Sequence, residues 1–259
     1  MSSSALARET LRVGFQRNTP PFSHATAGTA AFEPIGYSVD LARLVLAKVF
    51  DGTRPPPSLE AVEVTSSTRE GLLAEGRIDI ECGSTTITEA RLGRCAFSTP
   101  IFRTSHRIAV KPGATAGTAG TAGPRRVVGI QGSTSQAALE SAPDPGFACT
   151  FAGVPSIGAA LDAFLDDPRI DAMVADEVIL RTLLRGDRTP DGVTLLDVRL
   201  GAESYGFMMR KDDPEFVRAV DAALADVFAS DAYPKLLDTW FVDESPMSSP
   251  NGTGTHENL

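Results

Sequence analysis

The 259-residue sequence predicts an α/β fold with mostly parallel sheets, on three observations. Apolar, β-rich runs alternate with helical stretches along most of the chain. Several helices open on capping signals a few residues after a strand. The length suits one large domain or two of about 100–150 residues each.

Strands are expected at 12–15, 62–65, 78–81, 107–111, 127–130, 171–175 and 205–210, each a short apolar, β-rich run. Helices are expected between them at 38–50, 67–75, 135–141, 156–166, 177–185 and 214–229, with a shorter one at 233–241. Residues 115–123 spell a threefold Thr-Ala-Gly repeat between Pro112 and Pro124. Small residues without periodicity bury no core, so this stretch reads as a flexible surface loop, an insertion sooner than a functional linker. The stretch 245–259 is rich in Ser, Pro, Gly and Asn and reads as a disordered tail.

Hydrophobic residues make up 42% and charged residues 22%, the balance of a globular chain with a real core. The formal net charge of -9 argues against nucleic-acid or anionic-membrane partners, which need basic patches to displace counterions. A small acidic ligand stays compatible, because a few local arginines outweigh a diffuse field at contact distance. No run reaches the ~18–20 apolar residues that span a bilayer. Residues 1–9 have no apolar core and make no secretion signal, so the chain is expected to be cytosolic or to have lost its signal. Cys82, Cys95 and Cys149 allow at most one internal disulfide; a Cys82–Cys95 bridge and three small buried thiols both remain open. His24, His106 and His256 are scattered without ligand spacing, so neither a structural metal nor a cofactor is expected.

The helix starts are the most informative local pattern. Ser67-Thr68-Arg69-Glu70, Thr86-Ile87-Thr88-Glu89 and Ser133-Thr134-Ser135-Gln136 each fit a capping box. Asp176, directly after Ala172-Met173-Val174-Ala175, sits where a helix N-cap belongs. Each motif alone starts a helix and means no more. Together they place hydroxyls, free backbone N–H groups and a carboxylate at the carboxyl ends of strands, where open α/β sheets bind ligands. A free α-amino acid needs such a set: a planar cation and N–H donors for its carboxylate, a carboxylate and hydroxyls for its ammonium. Arg91, one turn beyond Ser84-Thr85-Thr86, can reach back to share a carboxylate with the Thr86 backbone. Thr134 can supply donors from a second unit, and Asp176 can neutralise the ammonium. Taken alone, Arg91 reads as a solvated surface cation and Asp176 as a plain cap.

Pro21-Phe22 is followed by Gly36-Tyr37-Ser38-Val39-Asp40-Leu41, then by Leu73-Ala74-Glu75-Gly76-Arg77-Ile78-Asp79. Thr86-Ile87-Thr88-Glu89-Ala90-Arg91, Ala96-Phe97-Ser98, Gln131-Gly132-Ser133-Thr134, Asp176-Glu177-Val178 and Arg210-Lys211-Asp212-Asp213 come next. In this order and spacing the chain resembles, over 11–241, the periplasmic solute-binding proteins of ABC amino-acid transporters, family 3. Thr65-Ser66-Ser67-Thr68-Arg69, Glu81-Cys82-Gly83-Ser84-Thr85-Thr86 and Ser204-Tyr205-Gly206 resemble the glutamate/aspartate-binding branch.

The resemblance implies a two-lobed type II periplasmic-binding-protein fold with two crossovers, near Arg103 and Gly201. Lobe 1 would comprise 11–103 and 202–243, lobe 2 residues 104–201, with disordered tails at 1–10 and 244–259. It implies a monomeric, non-catalytic, extracytoplasmic receptor that hands an amino acid to a membrane permease. By matching motifs, Arg91, Thr86 and Thr134, with Ser133 beside it, would hold the α-carboxylate. Ser84 and Asp176 would hold the ammonium, while Ser66 and Arg69 face the side chain and Arg69 pairs a distal carboxylate.

The chain departs from the branch twice. Gln16, with Arg17 beside it, stands where the branch carries an arginine, and Pro155-Ser156-Ile157 stands near its second-lobe histidine. One matched cation leaves glutamine, asparagine or another polar side chain as alternatives to glutamate and aspartate. Two further readings stay open: a dehydratase of the cyclohexadienyl type on the same fold, and a sensory module. Glu81 and Glu203 are the acids a dehydratase could use, but the first reads as part of a strand and the second as hinge.

Overall fold

The structure is a computed structural model in which residues 4–25, 32–53, 55–112, 124–142 and 148–241 are described. The Thr-Ala-Gly repeat and the 244–259 tail lie outside the described residues. A 3-10 turn at Ala5–Ala7 leads into β1 (Thr10–Gln16), three short strands β2 (Asn18–Thr19), β3 (Ser23–Ala25) and β4 (Pro34–Ile35), and helix α1 (Tyr37–Val49). There follow β5 (Ser58–Val64), α2 (Arg69–Ala74), β6 (Ile80–Glu81), α3 (Glu89–Leu92), β7 (Cys95–Phe97) and β8 (Phe102–Val110). The middle of the chain makes β9 (Arg125–Ile130), α4 (Thr134–Ser141), β10 (Cys149–Val154), α5 (Ile157–Asp166), β11 (Ala172–Asp176), α6 (Glu177–Leu183) and β12 (Thr194–Leu195). Strands β13 (Ala202–Tyr205) and β14 (Met208–Arg210) and helices α7 (Pro214–Phe228) and α8 (Ala232–Trp240) complete it.

These elements form two main sheets. The first runs β5-β1-β6-β14-β7 and draws on both ends of the described chain; the second runs β10-β9-β11-β8-β12 and draws on its middle. Parallel pairs β1–β5, β1–β6, β9–β10 and β9–β11 form the heart of each sheet. Strands β14 and β8 run against them, so each sheet is mixed, where mostly parallel sheets were expected. The physical reason is that both strands are return passes, one into each sheet. Between the sheets the chain crosses twice, on β8 and β13, which pair antiparallel from Ala202↔Ser105 to Tyr205↔Phe102.

The sequence explains the packing locally. Helix α1 buries Val39, Leu41, Ala42, Val45 and Leu46, the i, i+3, i+4 stripe of an amphipathic helix. Gly36 precedes it at φ 139°, and a Cβ there would stand 2.2 Å from the Phe22 carbonyl oxygen, so glycine is required. Phe22 packs edge-on against Tyr37, Phe102 and Tyr205, with ring centroids 5.0–6.0 Å apart, and this aromatic cluster anchors the crossover.

Three local expectations change. The strand foreseen at 205–210 is two strands, because the chain leaves one ladder at Gly206-Phe207 and enters another. Strand β10 went unforeseen, its Thr-Phe-Ala-Gly run being weakly β-like. The start of the chain, expected as a disordered tail, is tied down from residue 4. The Asp213 carboxylate accepts from Ser4 Oγ at 2.8 Å and from the Ala5 N–H at 2.7 Å, and Ala5 is buried. All three cysteines are free thiols. No helix among the described residues is long and apolar enough to cross a membrane.

Candidate functional site

A polar cluster sits on the crossover strands and β11. In the β8–β11 pair, Asp176 lies opposite His106. His106 is buried, with Nδ1 2.6 Å from Asp176 Oδ1 and Nε2 2.9 Å from Glu203 Oε1. The Ser135 hydroxyl stands 3.1 Å from the same Nδ1. On β13, Tyr205 lies two residues from Glu203 and therefore on the same strand face. Its hydroxyl donates to Asp176 Oδ2. Burial and the neighbouring Asp176 raise the phenol well above its ordinary pKa, so it stays a donor.

Burial alone would lower the His106 pKa; pairing with Asp176 and Glu203 overrides it and raises the value to about 9. Burial raises the Glu203 carboxyl, but His106 and the hydroxyls of Thr86 and Thr134 hold it below the usual range. At formal charges, one imidazolium between two carboxylates leaves one negative charge over, which suits a single incoming cation. Ligand atoms of His106, Asp176 and Glu203 lie within 4.8 Å of one another. The scattered histidines gave no hint of this grouping.

A second polar group lies within the first sheet. Gln16 Nε2 donates to Ser66 Oγ at 3.2 Å, and Ser84 Oγ donates to Gln16 Oε1 at 3.5 Å. Arg69 is 5% exposed, and its Nη1 donates to Thr85 Oγ1 at 2.7 Å. The Thr85 hydroxyl in turn donates to Glu81, which is fully buried. Arg91 donates from Nη1 to the Thr86 carbonyl at 2.8 Å and from Nε to Glu70 at 3.2 Å. Arg91 was expected to share a ligand carboxylate with the Thr86 backbone; here it binds the Thr86 carbonyl itself. Thr86 bridges Tyr205 across the sheets.

The helix starts behave unevenly. Ser133 caps α4 by accepting from the Gln136 N–H, so its hydroxyl is engaged as a cap and not turned to the cluster. Thr88, two residues later than Thr86, caps α3. Thr68 sits at the start of α2, without a side-chain cap bond. Asp176 precedes α6 with no cap bond, because its carboxylate serves Tyr205 and His106. Arg17 turns to the surface, donating to Glu63 at 2.6 Å and lying over the Phe32 ring at 5.0 Å. Gln16 thus joins the site and Arg17 does not.

Of the expected residues, Thr86, Thr134 and Asp176 meet at the crossover, while Gln16, Ser66 and Ser84 form one string beside Arg69. Sequence reasoning missed His106, Tyr205 and Thr85, and set aside Glu81 and Glu203. The alternation Glu203-Ser204-Tyr205 was the available signal for two of them.

A model of the bacterial extracellular solute-binding proteins, family 3, matches residues 11–243. The L-glutamate/L-aspartate-binding protein of Pseudomonas aeruginosa is 31% identical, over 93% of this chain and 80% of that protein. The glutamate/aspartate import solute-binding protein of Escherichia coli is 28% identical, over 92% and 78%. Among solved structures, an ancestral amino acid-binding protein, a precursor of cyclohexadienyl dehydratase, superposes with a TM-score of 0.73 at 28% identity, covering 90% of this chain and 96% of that one. A histidine-bound ABC-transporter substrate-binding protein of Streptococcus pneumoniae shares the two-lobed fold, with a TM-score of 0.78 at 19% identity, covering 94% and 97%. With its fold and nearly its whole length matched, the chain belongs to the bacterial extracellular solute-binding proteins, family 3.

Proposed function

We propose that this chain is the receptor of an ABC amino-acid importer, that it binds a free α-amino acid by closing two lobes, and that glutamate and aspartate are its preferred ligands. The lobes of this reading are 11–103 with 202–243, and 104–201, hinged at β8 and β13. The observation that carries it is the meeting of Thr86 from one side and Thr134 and Asp176 from the other on the same two residues of β13, Glu203 and Tyr205. A zwitterion held there touches both lobes at once and favours the closed state by bridging them. Arg91, Thr86 and Thr134 hold its carboxylate, and Asp176, with Ser84, its ammonium. Micromolar affinity requires roughly 8 kcal/mol net. A handful of charge-assisted hydrogen bonds at ~1.5–3 kcal/mol each supplies that after costs. Names of the relatives at 28–31% identity support the acidic preference, and Arg69 is the residue that would pair the distal carboxylate.

The reading assigns no reaction to the cleft. Ser135 and Asp176 share Nδ1 of His106 while Glu203 holds Nε2, so the imidazole is not placed to pass a serine proton from one ring nitrogen to the other. The reading also makes the chain monomeric and extracytoplasmic, with a membrane permease as partner. A thermal-shift screen against the twenty amino acids tests it. Glutamate and aspartate should raise the melting temperature most, by mass action on the folded state. No shift from any amino acid would overturn the reading; a larger shift from glutamine or histidine would overturn only the preference.

A further inference from the structure

Glu81 ends β6 and is fully enclosed, yet its two oxygens are treated differently. Oε2 accepts from the Thr85 hydroxyl, the same hydroxyl that accepts from Arg69. Oε1 is shut away from solvent without a hydrogen-bond partner. It lies 2.5 Å from the point where a Cβ on Gly83 would sit, and Gln16 Oε1 lies 3.1 Å from that point. Both acceptors pack against the bare Cα of Gly83, where a Cβ would not fit, next to the string that joins Gln16 to Ser66 and Ser84. Arg69 Nε likewise has no hydrogen-bond partner.

A subsite with Arg69 as donor and Glu81 and Gln16 as acceptors matches an amide, which carries both kinds of group. A carboxylate guest brings acceptors alone and sets a second negative charge near Glu81. Like charges so placed cannot both stay ionised cheaply, and one takes a proton. The groups facing Glu81 are few. Arg69 comes from α2, Arg91 from α3, and the Cys82 thiol, itself raised by burial, follows it in the chain. Gln16 and Gly14 of β1 and Met208 of β14 are uncharged. Burial raises the Glu81 pKa against the pull of Arg69, Thr85 and Arg91, and so brings the proton nearer to neutral pH.

We propose that Glu81 is a specificity-determining residue that sets the charge of the side-chain subsite. Ionised, it compensates Arg69 and admits an amide; protonated, it donates to a guest carboxylate and frees Arg69 to hold that guest. The inference rests on the amino-acid reading above. It makes glutamate binding take up one proton from solvent, whereas glutamine binding takes up none.

Calorimetric titration of the intact protein with glutamate and with glutamine, between about pH 5.5 and pH 8, tests it, since neither side chain changes its charge there and the α-amino group is common to both ligands. The ratio of glutamate Kd to glutamine Kd should climb by up to about tenfold per pH unit where unliganded Glu81 is ionised. In Glu81→Gln, an isosteric change, the ratio should be flat and should favour glutamate more than wild type does at the alkaline end. A ratio independent of pH in the wild type, with both ligands binding, overturns the role of Glu81 and leaves the amino-acid reading standing. Failure of every amino acid to bind overturns both.

Discussion

The two polar groups of the cleft differ in how they are built. In the group proposed to face the ligand's side chain, Gln16, Ser66, Arg69, Glu81, Ser84 and Thr85 come from strands of the first sheet, the turns that follow them and the start of α2. In the group proposed to hold its charged head, His106, Asp176, Glu203 and Tyr205 come from three strands that pair through β8, and His106 and Glu203 are 97 residues apart. Both groups bury a cation beside a carboxylate, but only the second is reached from the other sheet's side, by Thr86 of the turn after β6. Groups within one lobe can tune what is recognised; groups shared between lobes can convert recognition into closure.

The largest expected effect tests the cation assigned to the ligand's α-carboxylate. Arg91→Ala should abolish measurable amino-acid binding by calorimetry while the circular dichroism spectrum stays native, since the surviving buried partners lose a bidentate cation at a cost of ~2–5 kcal/mol. Asp176→Asn should come next, weakening binding by roughly 10–100-fold, the equivalent of one charge-assisted hydrogen bond. An effect of that size on affinity alone would place Asp176 at the ligand, and a loss of stability without loss of affinity would place it in the hinge only.

A pH titration of stability separates the groups further. The folded pKa of His106, about 9, lies above its unfolded value. Its stabilisation is therefore complete below about pH 6.5 and is lost as pH rises through about 9, on the order of 3 kcal/mol in all. Chemical denaturation across that window should show the fall in wild type and its loss in His106→Gln. Tyr205→Phe should cost less, about 1 kcal/mol of stability, because one hydrogen bond to Asp176 disappears. Arg17→Ala should change neither affinity nor melting temperature, because its ion pair with Glu63 is exposed.

The same contrast explains what could be read from the sequence. The alternation of strands and helices is local and was legible; Thr86 was named from the turn after β6, whereas Ser66, Arg69 and Ser84 were named only through the family resemblance. Arg91 was named because an arginine one turn past a helix start can reach back to it. His106 was not, since an isolated histidine in an apolar run carries no spacing signal; its partners arrive through the β8–β11 register and the second crossover. Glu81 and Glu203 were visible but looked structural, because burial and partner geometry, not residue type, set their chemistry. Asp176 was found for the right position and the wrong bond: it precedes α6, yet serves a tyrosine and a histidine in place of the helix N–H groups.

The account turns on where the charged head of an amino acid comes to rest. A crystal structure with glutamate bound should place its α-carboxylate on Arg91, Thr86 and Thr134 and its ammonium on Asp176, within the crevice spanned by β8 and β13. Glutamate seated elsewhere, with Arg91 still turned to Glu70 and Asp176 touched by Tyr205 and His106 alone, would contradict it.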